Sequence, residues 1–384
     1  MRMFGDLTVE EFLRDYWQQK PLLIRQAFPN FTSPLSPDEL AGLACETDTA
    51  RIVLEKGGKQ PWEVRHGPFD EDEFAHLPDS HWTLLVNDTD QFLPELKAVL
   101  EPFRFLPDWR IDDLMISFAV EGGSVGPHID EYDVFLIQAQ GKRRWQINQQ
   151  APDKQNFLPD LELRIMRDFQ VEQEWVLEPG DMLYLPPNVP HYGVALDQCM
   201  TYSVGFRAPT QADMLEKLVD DLLDEPRLRQ RFSDQARELQ THPGELMAND
   251  RDKLIDFIVD ALPQDLNALQ TWLGKYLTTL KNDNNLIEEE CLKYKQIEKA
   301  LKQKFKLTKG LNSRLLYIVN DDEINLYANG VEYKISADCL DFVRFLCKMP
   351  NIAQSQIAHY LTHNACLNLL IDLIDSNVFQ LQKR

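Results

Sequence analysis

Between about residues 109 and 207 the chain breaks into six short runs of strand length and composition, and no other segment restricts the fold as much. Residues 114–120, 134–138, 144–147, 174–177, 181–185 and 200–206 are rich in aliphatic and aromatic side chains. Gly, Pro, Asn and Asp punctuate the spaces between them. Many short strands separated by turn signals predict an all-β barrel or a double sheet.

The flanks are different. Thr8 followed by Glu11 has the spacing of a helix capping box, Phe12, Tyr16 and Trp17 give that helix an apolar side, and Pro21 stops it before a short strand at 22–24. Ser36-Pro37-Asp38-Glu39 opens a second helix, with proline at its first position. Beyond Pro209 the pattern turns helical: Met214, Leu215, Leu218 and Leu222, then Leu254, Ile255, Phe257 and Ile258, then Leu266, Leu269, Leu273 and Leu280 recur at helical spacing. Such helices pack on the barrel or on a second copy of the chain. Lys281-Asn282-Asp283-Asn284-Asn285 reads as a linker. A small third domain follows, with strands at 315–319, 324–327 and 331–335, an Asn329-Gly330 hairpin turn, and helices near 340–347, 354–361 and 366–376, in the manner of a winged helix. The expected class is α+β, with domains at 1–208, 209–285 and 286–384.

The segment Gly122-Gly123-Ser124-Val125-Gly126-Pro127-His128-Ile129-Asp130 carries the first chemical signal. Residues i and i+2 of a strand share a face, so His128 and Asp130 aim together. A second signal is Gly180-Asp181-Met182-Leu183-Tyr184-Leu185-Pro186-Pro187-Asn188-Val189-Pro190-His191, a strand whose prolines lead His191 out of its end. Two imidazoles and one carboxylate form the facial triad of non-haem Fe(II) oxygenases, which leaves positions open for a keto acid and O2. An HxD pair alone is weak evidence, and its bland reading is a pair of solvated polar residues. The joint pattern carries the weight. His66, His76 and His81 fall in a polar stretch before the barrel and His242 in a loop. His359 and His363 have i, i+4 spacing on a late helix, but no HExxH arrangement accompanies them.

A keto acid such as 2-oxoglutarate, chelating iron at one end, has a second carboxylate that needs a buried cation. In Gly141-Lys142-Arg143-Arg144-Trp145-Gln146-Ile147, Arg143 shares strand parity with Trp145 and Ile147. It should therefore point inward, where its planar fork suits a carboxylate. Lys142 and Arg144 should face outward. The alternative is that Trp145 faces out and all three basic residues are surface charge.

The formal net charge of -22 repels nucleic acid and attracts cationic partners, such as a basic protein substrate, or serves solubility alone. No apolar run reaches the roughly 18–20 residues of a membrane span, and the N-terminus lacks a signal core, so a cytoplasmic protein is expected. The six cysteines form no CxxC pair, so their spacing indicates neither a zinc site nor a disulfide framework.

Three segments together carry a family resemblance: Arg110-Ile111-Asp112-Asp113-Leu114-Met115-Ile116-Ser117-Phe118, Gly126-Pro127-His128-Ile129-Asp130-Glu131-Tyr132-Asp133-Val134-Phe135, and Tyr202-Ser203-Val204-Gly205-Phe206-Arg207. The chain resembles the bacterial JmjC ribosomal oxygenases, arginine hydroxylases acting on the sixteenth large-subunit ribosomal protein. The likeness covers most of the first 210 residues and fades to architecture in the last 80. It implies a double-stranded β-helix (the cupin or JmjC barrel), a helical dimerisation module and a C-terminal winged helix. It implies Fe(II) held by His128, Asp130 and His191, 2-oxoglutarate gripped by Arg143, and consumption of O2 with release of succinate and CO2. It implies that Asp113 and Ser203 hold the substrate guanidinium, although Asp113 is also readable as a loop-end or helix-cap carboxylate. Two other functions stay open: a JmjC hydroxylase of a different residue or protein, and a cupin ligand sensor joined to a DNA-binding winged helix. The near-neutral last 80 residues show no basic recognition stripe for the latter.

Overall fold

The computed structural model describes all residues except 1–2, 59–60, 151–155, 160, 236, 238, 264, 282–293 and 384. The chain forms two compact units, Met1–Ala208 and Pro209–Arg384.

The first unit contains helix α1 (Val9–Asp15), strand β1 (Leu22–Ile24), α2 (Pro37–Glu46), β2 (Ala50–Glu55), β3 (Trp62–His66), α3 (Glu71–Ala75), β4 (Trp82–Val86) and α4 (Pro94–Ala98). It continues with β5 (Ile111–Ala119), β6 (Val134–Gln140), β7 (Arg143–Ile147), β8 (Gln173–Leu177), β9 (Met182–Leu185), β10 (His191–Ala195) and β11 (Cys199–Phe206). Both predicted capping boxes form: Thr8 and Ser36 each accept from the backbone N–H three residues on, and Glu11 and Glu39 reach back.

Eight strands make one antiparallel sheet in the order β1-β9-β6-β11-β5-β4-β2-β3, and three make a second, β10-β7-β8. Trp145, Ile147 and Leu177 of the small sheet share a core cluster with Val134, Leu136, Leu183 and Leu185 of the large one, so the two sheets face each other. The opposite face of the large sheet is also covered. Ile116, Phe135, Tyr184, Tyr202 and Phe206 pack there against Phe12, Leu40 and Leu96 of the helices. With both faces covered, all eight residues of β11 are buried, Thr201 and Ser203 included.

Strands β2, β3 and β4 lie in and around the polar stretch of His66, His76 and His81, where the sequence reading predicts no strand. His66 lies in β3, at the sheet edge, where it pairs with Glu162. Charged Arg51, Glu55, Glu63 and Arg65 hide the strand pattern there, while the backbone pairs β2 with both neighbours.

The second unit contains α5 (Gln211–Leu223), α6 (Ala248–Val259), α7 (Leu266–Thr278), α8 (Tyr294–Leu301), β12 (Phe305–Lys309), β13 (Leu315–Val319), β14 (Glu323–Ala328) and β15 (Val331–Ser336). After these come α9 (Leu340–Lys348), β16 (Asn351–Ala353), α10 (Gln354–Ile357), α11 (Asn364–Asp375) and β17 (Phe379–Lys383). Strands β13-β14-β15 form the predicted hairpin ribbon, and β16-β12-β17 form a second small sheet. Helix α7 packs on the ribbon: a Cβ at Gly274 would lie 2.4 Å from the Tyr327 ring, so only glycine allows this approach. Residues 282–285 of the expected linker lie outside the described residues. Among the described residues, no helix is long and apolar enough to cross a membrane.

His359 and His363 do not share a helix face. The helix stops at Ile357, a 3-10 turn fills Tyr360–Thr362, and His363 caps the next helix, α11.

Candidate metal and cosubstrate site

The period of the strands sorts the cavity from the core. On β11, Thr201, Ser203 and Gly205 line a pocket between the sheets while Met200, Tyr202 and Val204 enter the core. On β5, Asp113, Met115 and Ser117 line it while Leu114 and Ile116 turn away. Strand β7 contributes Arg143 and Trp145, as parity predicts. They are 3% and 5% exposed, whereas Arg144 is only half-buried and Lys142 pairs with Glu178.

His128, Asp130 and His191 meet in this pocket. Asp130 Oδ1 is 3.9 Å from His128 Nε2 and Oδ2 is 3.6 Å from His191 Nε2. The two ring centroids lie 4.2 Å apart. Backbone bonds hold the segments together: His128 N–H donates to His191 O at 3.0 Å, His191 N–H to His128 O at 2.9 Å, and Asn188 N–H to Asp130 O at 2.7 Å. Each imidazole is oriented by main chain. His128 Nδ1 lies 2.9 Å from Gly126 O, and His191 Nδ1 lies 2.9 Å from Val189 O. A carbonyl only accepts, so each Nδ1 carries a proton and each Nε2 faces Asp130 and the shared space. Burial, reinforced by neighbouring His128, depresses the His191 pKa to about 4, so that ring is neutral near pH 7. Two imidazoles and a carboxylate converging on one point suit a divalent metal with open positions.

Arg143 supplies a second fit. Its side chain is buried, and burial pulls its pKa below the ordinary arginine value. Its Nη2 donates to Gly193 O at 3.2 Å, while Nε has no partner. Trp145 Nε1 and Thr83 Oγ1 are also buried without partners on the same pocket. Three unsatisfied polar groups around one cavity are costly unless a polar ligand meets them. A dicarboxylate such as 2-oxoglutarate fits: one end reaches the metal ligands and the other offers Arg143 an anion. Glycine is required beside it, since a Cβ at Gly193 would lie 2.6 Å from the Trp145 ring and 2.7 Å from Arg143 Nε.

Asp113 lies within strand β5 and lines the pocket, so the loop-end reading fails. The capping reading holds in part: Oδ2 accepts from Asp88 N–H at 3.2 Å, ahead of the turn Thr89–Gln91, and from Asn87 Nδ2 at 3.3 Å. Ser203 is 5% exposed and lines the same cavity. Sequence reasoning missed Thr83, Asn87, Ser117, Tyr132 and Thr201, which complete the polar lining. Strand parity with Asp113 and Ser203 was the available signal for Ser117 and Thr201; Thr83 and Asn87 belong to the unrecognised β4 region.

A double-sheet barrel with a His-Asp-His cluster and a buried arginine defines the JmjC class, and the JmjC-domain profile matches residues 98–214. A ROXA-like winged-helix profile matches 261–380. The Escherichia coli ribosomal protein uL16 3-hydroxylase is 39% identical over 326 residues, 84% of this chain and 85% of its own. The crystal structure of E. coli ycfD superposes with a TM-score of 0.84 at 34% identity, covering 98% of this chain and 99% of the other. A ycfD structure in complex with cobalt and 2-oxoglutarate gives a TM-score of 0.80 at 34% identity, over 98% and 99% of the two chains. The chain belongs to the JmjC-domain ribosomal oxygenase family that includes the bacterial uL16 3-hydroxylase.

Proposed function

We propose that this protein is an Fe(II)- and 2-oxoglutarate-dependent oxygenase that hydroxylates the β-carbon of an arginine in ribosomal protein uL16. One observation carries the reading: the His128-Asp130-His191 cluster and the buried Arg143 guanidinium, whose Nε has no partner, line the same cavity. The coverage and identity of the E. coli hydroxylase support the substrate.

When bound, Fe(II) and 2-oxoglutarate supply the oxidising power, with one atom of O2 leaving in succinate beside CO2 and the other entering the substrate C–H bond. This chain's residues bind and orient. His128, Asp130 and His191 would hold the metal. Arg143 holds the far carboxylate, and Trp145, Val134 and Leu136 wall off water. Asp113 accepts the guanidinium with Ser203 beside it, since a carboxylate matches the arginine fork.

The strongly acidic chain attracts a basic ribosomal protein, and the cytoplasm is where such a protein is met. The protein works as a homodimer built on its helices. Helix α6 has no buried residue, yet Ile255 is 51% and Ile258 67% exposed, alongside Leu215 and Leu223 of α5 at 60% and 58%. A second copy is the occupant that would cover them.

The test is mass spectrometry of uL16 from cells with and without the gene. One arginine should gain the mass of one oxygen atom only when the gene is present. An identical spectrum in both strains overturns the substrate assignment.

A further inference from the structure

Cys339 and Cys366 stand 27 positions apart in sequence, yet their sulfurs lie 3.0 Å apart, with Cys366 donating to Cys339. Both residues are buried, at 1% and 3% exposure. His363 completes the group: its Nδ1 is 3.7 Å from Cys339 Sγ, and the ligating atoms of all three residues lie within 4.8 Å of one another.

The local structure explains the convergence. Cys339 is the N-cap of α9, His363 is the N-cap of α11, and Cys366 is the third residue of α11. The N-terminus of α11 and the start of α9, where the Leu340 N–H already donates to Ala337 O, therefore approach one point. The α11 end favours negative charge, and so favours thiolate over thiol. Burial works in the opposite direction and, with Cys339 alongside, pushes the Cys366 thiol up to about 12. A bound cation resolves the conflict, because it neutralises two buried thiolates at once. The exposed imidazole of His363 leaves that side of the group open to solvent, which gives an ion a way in.

The donor set selects the ion. Two sulfurs and one imidazole are soft to borderline ligands, suited to zinc(II) rather than to magnesium or calcium. Around a tetrahedral zinc with Zn–S of about 2.3 Å, two sulfurs stand roughly 3.7 Å apart. The observed pair reaches that spacing by opening less than an ångström. A disulfide would draw the sulfurs together to about 2.05 Å and would leave the convergent imidazole without a role.

We infer that Cys339, His363 and Cys366 form a second metal site, separate from the His128-Asp130-His191 cluster, that binds zinc(II) with its fourth position open to solvent. On binding, the two thiol protons pass to water and the ion ties the starts of α9 and α11 together.

The test uses the full chain, stripped of metal and kept reduced, titrated with cobalt(II). The His128-Asp130-His191 cluster has no sulfur, so a sulfur-to-cobalt charge-transfer band in the near ultraviolet reports the new site alone. The band should appear, and zinc(II) should abolish it by displacement. His128→Ala should lose one equivalent of zinc and keep the band. The Cys339→Ser/Cys366→Ser pair should lose the band and keep the other equivalent. His363→Ala, a change at an exposed position, should weaken zinc binding at least tenfold with an unaltered circular dichroism spectrum. A single zinc equivalent with no charge-transfer band overturns the inference. So does a Cys339–Cys366 disulfide found by intact mass in protein isolated under a thiol trap.

Discussion

Gly205 stands directly opposite Asp113 across the β11–β5 pair, and a Cβ at Gly205 would lie 3.1 Å from Asp113 Oδ1. The glycine leaves room beside that oxygen, while Oδ2 accepts from Asp88 and Asn87. Gly205→Val should therefore cut hydroxylation of a uL16 peptide by roughly tenfold or more, the worth of one lost charge-assisted contact. Calorimetry on the same variant should show 2-oxoglutarate affinity unchanged. Equal loss of both would mean that the valine disturbs the barrel rather than the substrate's seat.

Arg143→Ala should weaken 2-oxoglutarate binding by about 2–5 kcal/mol, the usual cost of truncating one side of a buried charge pair. Arg144→Ala should change it little, because that side chain faces away from the pocket. A reversed order of the two calorimetric affinities would contradict the strand orientation.

His128→Ala, Asp130→Ala and His191→Ala should each abolish succinate formation and leave the far-ultraviolet dichroism intact. Each removes one of the three donors that cluster there among the described residues. Turnover near the wild-type rate in any one of them would remove that residue from the ligand set.

Asp133 has a different task from Asp130, three residues earlier. It is fully buried and accepts from Tyr184 OH at 2.6 Å, Gln18 Nε2 at 2.9 Å and Arg110 Nη2 at 3.3 Å. Asp133→Ala strands these donors and should destabilise the fold by about 3–5 kcal/mol. Asp133→Asn, which keeps an acceptor, should recover part of the loss in thermal unfolding. No change in Tm for the alanine variant would show that water replaces the carboxylate.

Light scattering at micromolar concentration should give the mass of a dimer. Ile255→Asp together with Ile258→Asp should shift it towards a monomer, because both side chains are exposed on α6. A wild-type monomer would leave the apolar face of that helix to another occupant.

The metal cluster and Arg143 were legible because their signals are local in sequence: an HxD pair, a proline-led turn before His191, and parity within one strand for Arg143. His128 and Asp130 were read by the i, i+2 rule of a strand, but the structure holds them in a non-strand segment tied to His191 by an isolated bridge, whereas Arg143 needs only its phase with Trp145. Gly205 was not legible, since its meaning lies in the register of β11 against β5, which shifts between Gly205 and Phe206. Strands β2 and β3 escaped notice because Arg51, Glu55, Glu63 and Arg65 interrupt the apolar pattern, although only Glu63 and Arg65 of these four pair with each other. Cys339 and Cys366 looked isolated because only the docking of α11 near the start of α9 brings them together.

The two metal-facing histidines share one local device. In Gly126-Pro127-His128 and in Val189-Pro190-His191, the imidazole is tethered to the carbonyl that precedes the proline. Proline narrows the backbone path between tether and ring. The tether is main chain, so no exchange of a neighbouring side chain can delete it. Side-chain drift around the pocket can then alter which peptide is accepted while the rings keep their aim, so within this scaffold target choice can evolve separately from iron capture.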